Sequence, residues 1–173
     1  MRILCICGSL QADSANLSLL RAAAAIAPSG VEVVLYDGIR DLPLFNPDLE
    51  ERGIVPSAVT AWREAIVASD ALLIASPEYG HSLPGSLKNA IDWVIGSGEL
   101  EKKIVAVTAS TKHTERGRRG LSAILATLAA VSARIVGGEP TVQGPNFDRD
   151  VGALLAALIA TASAPSGDER LPD

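Results

Sequence analysis

The stretch RILCICGSLQADSANLSLLRAAAAI, residues 2–26, changes its apolar period part-way along. Arg2 to Cys7 is a short continuous apolar run, Gly8 stops it, polar residues follow as far as Asn16, and apolar residues return at helical spacing from Leu17 to Ile26. This reads as strand, loop, helix, with Pro28 and Gly30 closing the helix. A strand apolar at nearly every position has no face to give to water, so it belongs inside a parallel sheet covered on both sides.

The same alternation continues along the chain. Further strands are expected at Val31–Tyr36, Asp70–Ala75, Lys103–Thr108 and Ala133–Val136, and helices at Ser57–Ala68, Pro84–Ile95, Arg118–Val131 and Asp148–Ala162. Asp37–Pro56 reads as a long polar connection, Gly137–Pro145 as irregular, and 164–173 as a flexible tail. Five buried strands alternating with helices imply an α/β fold in three layers. The economical arrangement is the flavodoxin-like doubly wound five-stranded parallel sheet, order 2-1-3-4-5, as a single domain over residues 1–163.

Composition narrows the function. Of 173 residues 48% are apolar, enough for one core, and 15 basic against 20 acidic residues leave a net charge of −5. An acidic chain has no overall field to hold a polyanion, so no nucleic acid partner is expected. Apolar runs such as Ala71–Ala75 and Ala153–Ala162 fall short of the ~20 residues of a membrane span. The opening run Ile3–Cys7 is too short for a secretory h-region, which predicts a cytoplasmic protein. Cys5 and Cys7, the only cysteines, lack metal-ligand company and read as small core residues, so no metal is expected. The aromatic set is two Trp, two Tyr and two Phe, so Ala, Val, Leu and Ile must fill the core.

In a doubly wound sheet, ligands sit at the carboxyl ends of the strands near the switch point, which directs attention to Gly8–Asn16, Ser76–Leu83 and Ala109–Gly117. The first loop offers Ser9, Ser14 and Asn16 beside the free N–H groups of a helix start, a combination that suits an anion. Ser14 or Asn16 as a plain helix cap is the competing explanation. Neither G-x-G-x-x-G nor G-x-x-x-x-G-K-[ST] occurs, so the anion would be held by hydroxyls and amides alone. The second loop, with two prolines, Tyr79 and several backbone amides, can support a planar heterocycle.

Gly8-Ser9-Leu10, Ser14 and Asn16, taken with Pro77-Glu78-Tyr79, Ser82, Pro84-Gly85 and Leu87-Lys88-Asn89-Ala90-Ile91-Asp92-Trp93, resemble the NADPH-dependent FMN reductase family, whose relatives include quinone, azo-dye and chromate reductases. The resemblance covers about residues 1–135. It implies noncovalent FMN, NADPH or NADH as co-substrate, and a homodimer or homotetramer with the flavin near a subunit interface. By the same resemblance Ser9, Gln11, Ser14 and Asn16 would hold the FMN phosphate, Pro77, Glu78, Tyr79 and Gly80 would border the ribityl chain and ring, and Ser110 would lie beside the ring. Three positions depart from the pattern. Gln11 stands where relatives carry Arg, Gly80 where they carry Asn, and the glycine-rich third loop of relatives here reads Thr111-Lys112-His113-Thr114-Glu115-Arg116-Gly117.

Lys112, Arg116, Arg118 and Arg119 cluster in this otherwise acidic chain, and Lys112 and Arg116 are candidate contacts to a nicotinamide dinucleotide phosphate. His81 and His113 lie in the site loops without an assigned role. The Pro84–Ile95 helix, with Leu87, Ile91 and Trp93, is the expected subunit contact. Because the hydride chemistry belongs to the cofactor, no catalytic acid or base is assigned. The expected activity is an FMN-dependent NAD(P)H oxidoreductase acting on a small-molecule electron acceptor: a quinone, an azo compound, a metal oxyanion or free flavin. A flavodoxin-like electron carrier without nicotinamide turnover and a flavin-poor binding protein are the alternatives.

Overall fold

The computed structural model describes residues 1–164. The expected tail, 164–173, lies outside the described residues apart from Ala164. Arg2–Cys7 forms β1, and it is flanked in parallel by β2 (Glu32–Tyr36) and β3 (Ala71–Ala75), with Cys5 opposite Leu35 on one side and Leu73 on the other. β4 (Ile104–Thr111) and β5 (Arg134–Val142) complete a parallel sheet of order β2-β1-β3-β4-β5. The switch point therefore falls between β1 and β3, as in the flavodoxin-like order expected from the sequence.

The pleat divides the apolar residues between two layers. Ile3, Cys5, Ala71, Leu73 and Ala106 point to α1 (Ala15–Ala25) and α6 (Phe147–Ser163). Leu4, Ile6, Leu72, Ile74, Val105 and Val107 point the other way, to α3 (Ser57–Val67), α4 (Gly85–Asp92) and α5 (Arg118–Ala130). The second layer also takes both tryptophans. Trp62 is buried with its indole N–H on Ala90 O at 2.8 Å, and Trp93 with its indole N–H on Pro43 O at 2.7 Å. Cys5 is the small core residue expected, and burial pushes its thiol up to about 12.

Several expectations need correction. The Asp37–Pro56 connection is not all loop, because it holds a 3-10 turn at Gly38–Asp41 and the short helix α2 (Pro47–Glu51). Asn46 caps α2 through Oδ1, which accepts from Asp48 N at 3.0 Å, and Pro47 occupies the first turn, where its missing N–H costs nothing. Gly137–Pro145 is not irregular over its length either. After a register shift between Val107 and Ala109, β5 resumes pairing at Pro140, Thr141 and Val142, and β4 runs on to Thr111. Gly137 and Gly138, at φ +75° and +105°, supply the kink, and their turn-like appearance hides the strand that continues beyond them.

The three apolar residues noted on the helix expected at a subunit contact are turned into the protomer, while Ile95 at its end is 53% exposed. Leu87, Ile91 and Trp93 are at most 1% exposed and lie in the core of the protomer. Lys88 and Asp92, paired through Nζ and Oδ1 at 2.5 Å, lie on its outer face. Among the described residues no helix is long and apolar enough to cross a membrane.

Candidate functional site

Three loops meet at the carboxyl ends of β1, β3 and β4. Gly8, directly after β1, donates its N–H to Ala75 O at 2.9 Å, and a Cβ there would come within 3.1 Å of Ser76 Oγ and 3.3 Å of Ser76 Cα. The glycine thus lets the first loop lie against the second. Ser9, nearly buried, accepts from Gln11 N at 3.3 Å, and its hydroxyl meets the Tyr79 hydroxyl at 3.2 Å.

Ser14 caps α1, its Oγ accepting from Asn16 N at 3.2 Å and lying 3.9 Å from the Cys7 thiol. Asn16, 4% exposed, accepts the Ser110 N–H on Oδ1 at 2.9 Å and so braces the end of β4 against α1. The cap reading of Ser14 therefore holds, and Asn16 acts as a tie between loops. Gln11 stands exposed at the lip of the site. The backbone N–H groups of Leu10, Ala12 and Asp13 have no acceptor among the described residues, and α1 has no acidic side chain in its first turn. Such a loop at a helix start keeps donors free for an anion.

In the second loop Tyr79 and Ser82 exchange backbone hydrogen bonds, both 3.0 Å, around Gly80 and His81 at φ +57° and +63°. Two central residues with positive φ and a reciprocal pair of bonds mark a type I′ turn. Asn and Gly are the residues that adopt this conformation most readily, so Gly80 suits the turn without a side chain. Pro77 is half-buried at the root of this loop, and Tyr79 is 52% exposed at its tip.

The Glu78 carboxylate turns toward α5. Its Oε2 accepts from Arg119 N at 3.0 Å and Gly120 N at 3.1 Å, and its Oε1 lies 3.0 Å from His81 Nδ1. The hydrogen bond with His81, followed by that from Gly120, holds this carboxyl below the usual glutamate range.

The third loop leaves β4 at Thr111 and enters α5 through Gly117, at φ +85°, where a Cβ would press on Thr111 and Ala109 at 3.1 and 3.2 Å. Gln143, one residue past β5, bonds Thr111 O through its backbone N–H at 2.8 Å and Ser110 Oγ through Nε2 at 3.2 Å. Between the second and third loops lies a cavity of about 630 Å³ lined by Glu78, His81, Ser110, Lys112, Arg116, Arg119 and Gln143, among others. A second cavity of about 520 Å³ shares Ala15, Ser110 and Gln143 with it and carries Asp13 and Asp148.

Of the residues singled out in the sequence, Glu78, Ser110, Lys112 and Arg116 line one cavity, while Ser9 and Tyr79 touch. The basic cluster divides. Arg118 pairs with Glu139 at 3.0 Å, whereas Lys112, Arg116 and Arg119 have no acidic partner within salt-bridge distance among the described residues. Both carboxylates of the cavity wall are engaged, Glu78 as above and Glu115 with Arg118 at 4.0 Å, so the unpaired charge facing the cavity is positive. Gln143 and Gly120 were not legible as site residues. Recognising that β5 continues past Gly138 would have placed Gln143 beside Ser110.

An open doubly wound sheet of this order, with an anion-ready loop after β1 at its switch point and a cavity between the loops that follow β3 and β4, defines a flavodoxin-like protein. The family model of the NADPH-dependent FMN reductases matches residues 1–144, and the chain belongs to that family. It is 45% identical over 95 residues to a probable NADPH:quinone oxidoreductase 2 of Oryza sativa subsp. japonica, covering 54% of this chain and 47% of that protein. It is 46% identical over 93 residues to an NAD(P)H-dependent FMN reductase of Pseudomonas aeruginosa, covering 54% of this chain and 49% of that one. The chain thus spans about half the length of the curated relatives it matches. Among solved structures, the flavoenzyme NAD(P)H:(acceptor) oxidoreductase FerB of Paracoccus denitrificans superposes with a TM-score of 0.77 at 25% identity, over 92% of this chain and 97% of that one.

Proposed function

We propose that the protein is an FMN-dependent NAD(P)H oxidoreductase that passes a hydride from NAD(P)H to bound FMN and from there reduces a quinone, an azo compound, a metal oxyanion or free flavin. The observation that carries this reading is the convergence of the three loops: the free-amide loop after β1 is tied to the second by Ser9–Tyr79 and, through Asn16, to Ser110 of the third, and Ala15 at the start of α1 and Ser110 both line the cation-lined cavity. The donor set fits an FMN phosphate. The unpartnered N–H groups of Leu10, Ala12 and Asp13, the Ser9 hydroxyl and the Gln11 carboxamide would hold it, with Ser14 and Asn16 shaping the loop. Pro77, Glu78, Tyr79, Gly80 and Ser110 would border the ribityl chain and ring. When bound, FMN supplies the acceptance and onward transfer of the hydride.

The chain's own residues orient and shield. Lys112 and Arg116, joined by Arg119, would attract and seat the phosphates of the dinucleotide, since guanidinium and phosphate pair in bidentate fashion. The brace from Asn16 to Ser110 keeps the floor of the cavity fixed while ligands exchange. Work in the cytoplasm as a homodimer or homotetramer completes the proposal. The two cysteines are free, and Leu44 is 85% exposed although its neighbours are pinned, Pro43 O by Asn89 and Trp93 and Phe45 N by Asn89 Oδ1. The test is NADPH oxidation by the FMN-loaded protein with and without a soluble quinone. Quinone-dependent oxidation is expected, and an FMN form that NADPH does not bleach contradicts the reading in favour of an electron carrier.

A further inference from the structure

The first turn of α5 has no cap of its own. Gly117 occupies its N-cap position and has no side chain to offer, so the N–H groups of the first turn need acceptors from elsewhere. They receive one from a residue 41 positions earlier in the case of Arg119, and 42 in the case of Gly120: the Glu78 carboxylate. A negative charge at a helix N-terminus is also favoured by the helix dipole. The approach depends on Gly120, where a Cβ would stand 2.9 Å from Glu78 Cα and 3.2 Å from Ser82 O. The other carboxylate oxygen holds His81, which occupies the positive-φ turn beside Tyr79. Tyr79 in turn meets Ser9 of the first loop. A continuous line of contacts thus runs from α5 through Glu78 and the Tyr79 turn to the phosphate loop.

We propose that Glu78 is a positioning residue whose carboxylate clamps the Pro77–Ser82 loop to the start of α5 and so sets the width of the cavity in which flavin and nicotinamide meet. The proposal rests on the reading of that cavity as a flavin site. It adds to the expectation that Glu78 borders the ribityl chain and ring, because both carboxylate oxygens are engaged by protein groups. What Glu78 leaves to a ligand is its backbone.

The test compares wild type with Glu78→Ala, Glu78→Gln and Gly120→Ala, using two independent readouts. The first is amide exchange at Arg119 and Gly120 in FMN-free protein, which needs no flavin chemistry. Glu78→Ala is expected to accelerate it about tenfold or more, the loss expected for charge-assisted hydrogen bonds, while Glu78→Gln, which keeps an accepting oxygen, stays within about threefold of wild type. The second is the Kd for FMN and the split between KM for NADPH and kcat. Glu78→Ala and Gly120→Ala are expected to raise Kd and KM about tenfold with kcat changed less than about threefold, and Glu78→Gln to restore both.

Unchanged exchange in Glu78→Ala overturns the clamp. Faster exchange with unaltered Kd and KM reduces Glu78 to a helix cap and overturns the positioning role, and a Glu78→Gln as impaired as Glu78→Ala overturns hydrogen bonding as its basis. A wild-type protein that takes up no FMN overturns the flavin reading itself, whereas wild type that binds FMN beside an unimpaired Glu78→Ala overturns only the clamp.

Discussion

Glu78 joins the chemistry of one carboxylate to the shape of the whole site. Its hydrogen bonds with His81 and the α5 amides lower its pKa, so the folded state favours the ionised form more than the unfolded chain does. For a carboxylate depressed on folding, the contribution is fully present above the ordinary value and is lost as pH falls through the lowered one. His81 on the same loop, and Lys112, Arg116, Arg119 and Glu115 around the cavity, are the other charged or titratable groups that face it. Exchange at the Arg119 and Gly120 amides, measured against pH and corrected for intrinsic rates, is therefore expected to stay flat down to about the ordinary glutamate pKa near 4.3 and to rise only below it. Glu78→Gln is expected to lack that acid step. At this scale the sequence points to the loops that meet but not to the partners each side chain finds. Ser14 and Asn16 were legible as polar residues at a helix start, yet whether each caps, braces or binds depends on Ser110, 94 positions from Asn16. Spacing along the chain carries no such information.

Among the elements, the sheet was legible because its strands are apolar at nearly every position, a pattern that only a two-sided cover satisfies. The end of β5 was not, because Gly137 and Gly138 carry the local signature of a turn while the strand resumes through Pro140 on an edge where a missing N–H is tolerated. That kink also fixes α6, since a Cβ on Gly137 would lie 2.7 Å from Leu154 Cδ1 and 3.1 Å from Val107 O. Gly137→Ala therefore meets positive φ and overpacking together. A loss of about 1–3 kcal/mol in urea unfolding is expected, and a variant as stable as wild type would show that the kink relaxes freely. Likewise α2 escaped notice because it has only five residues, too few for an apolar period to develop.

For the molecule as a whole, the doubly wound order follows from strand count and chain length, and it alone directs attention to the three loops that meet. Leu87, Ala90 and Ile91 of α4 face inward, and among the described residues the most exposed of the large apolar side chains is Leu44. If Leu44 is a subunit contact, Leu44→Asp shifts the sedimentation coefficient toward a single chain without altering the circular dichroism spectrum, and an unchanged assembly removes Leu44 from the interface. The central claim is that the three loops form an FMN site that serves nicotinamide turnover, and titration of the purified protein with FMN, followed by flavin fluorescence and the visible spectrum, tests it most directly. Saturable change of flavin emission at one FMN per chain, followed by bleaching of the bound flavin on addition of NADPH, is the predicted result; a protein that leaves the spectrum of added FMN unaltered contradicts the account.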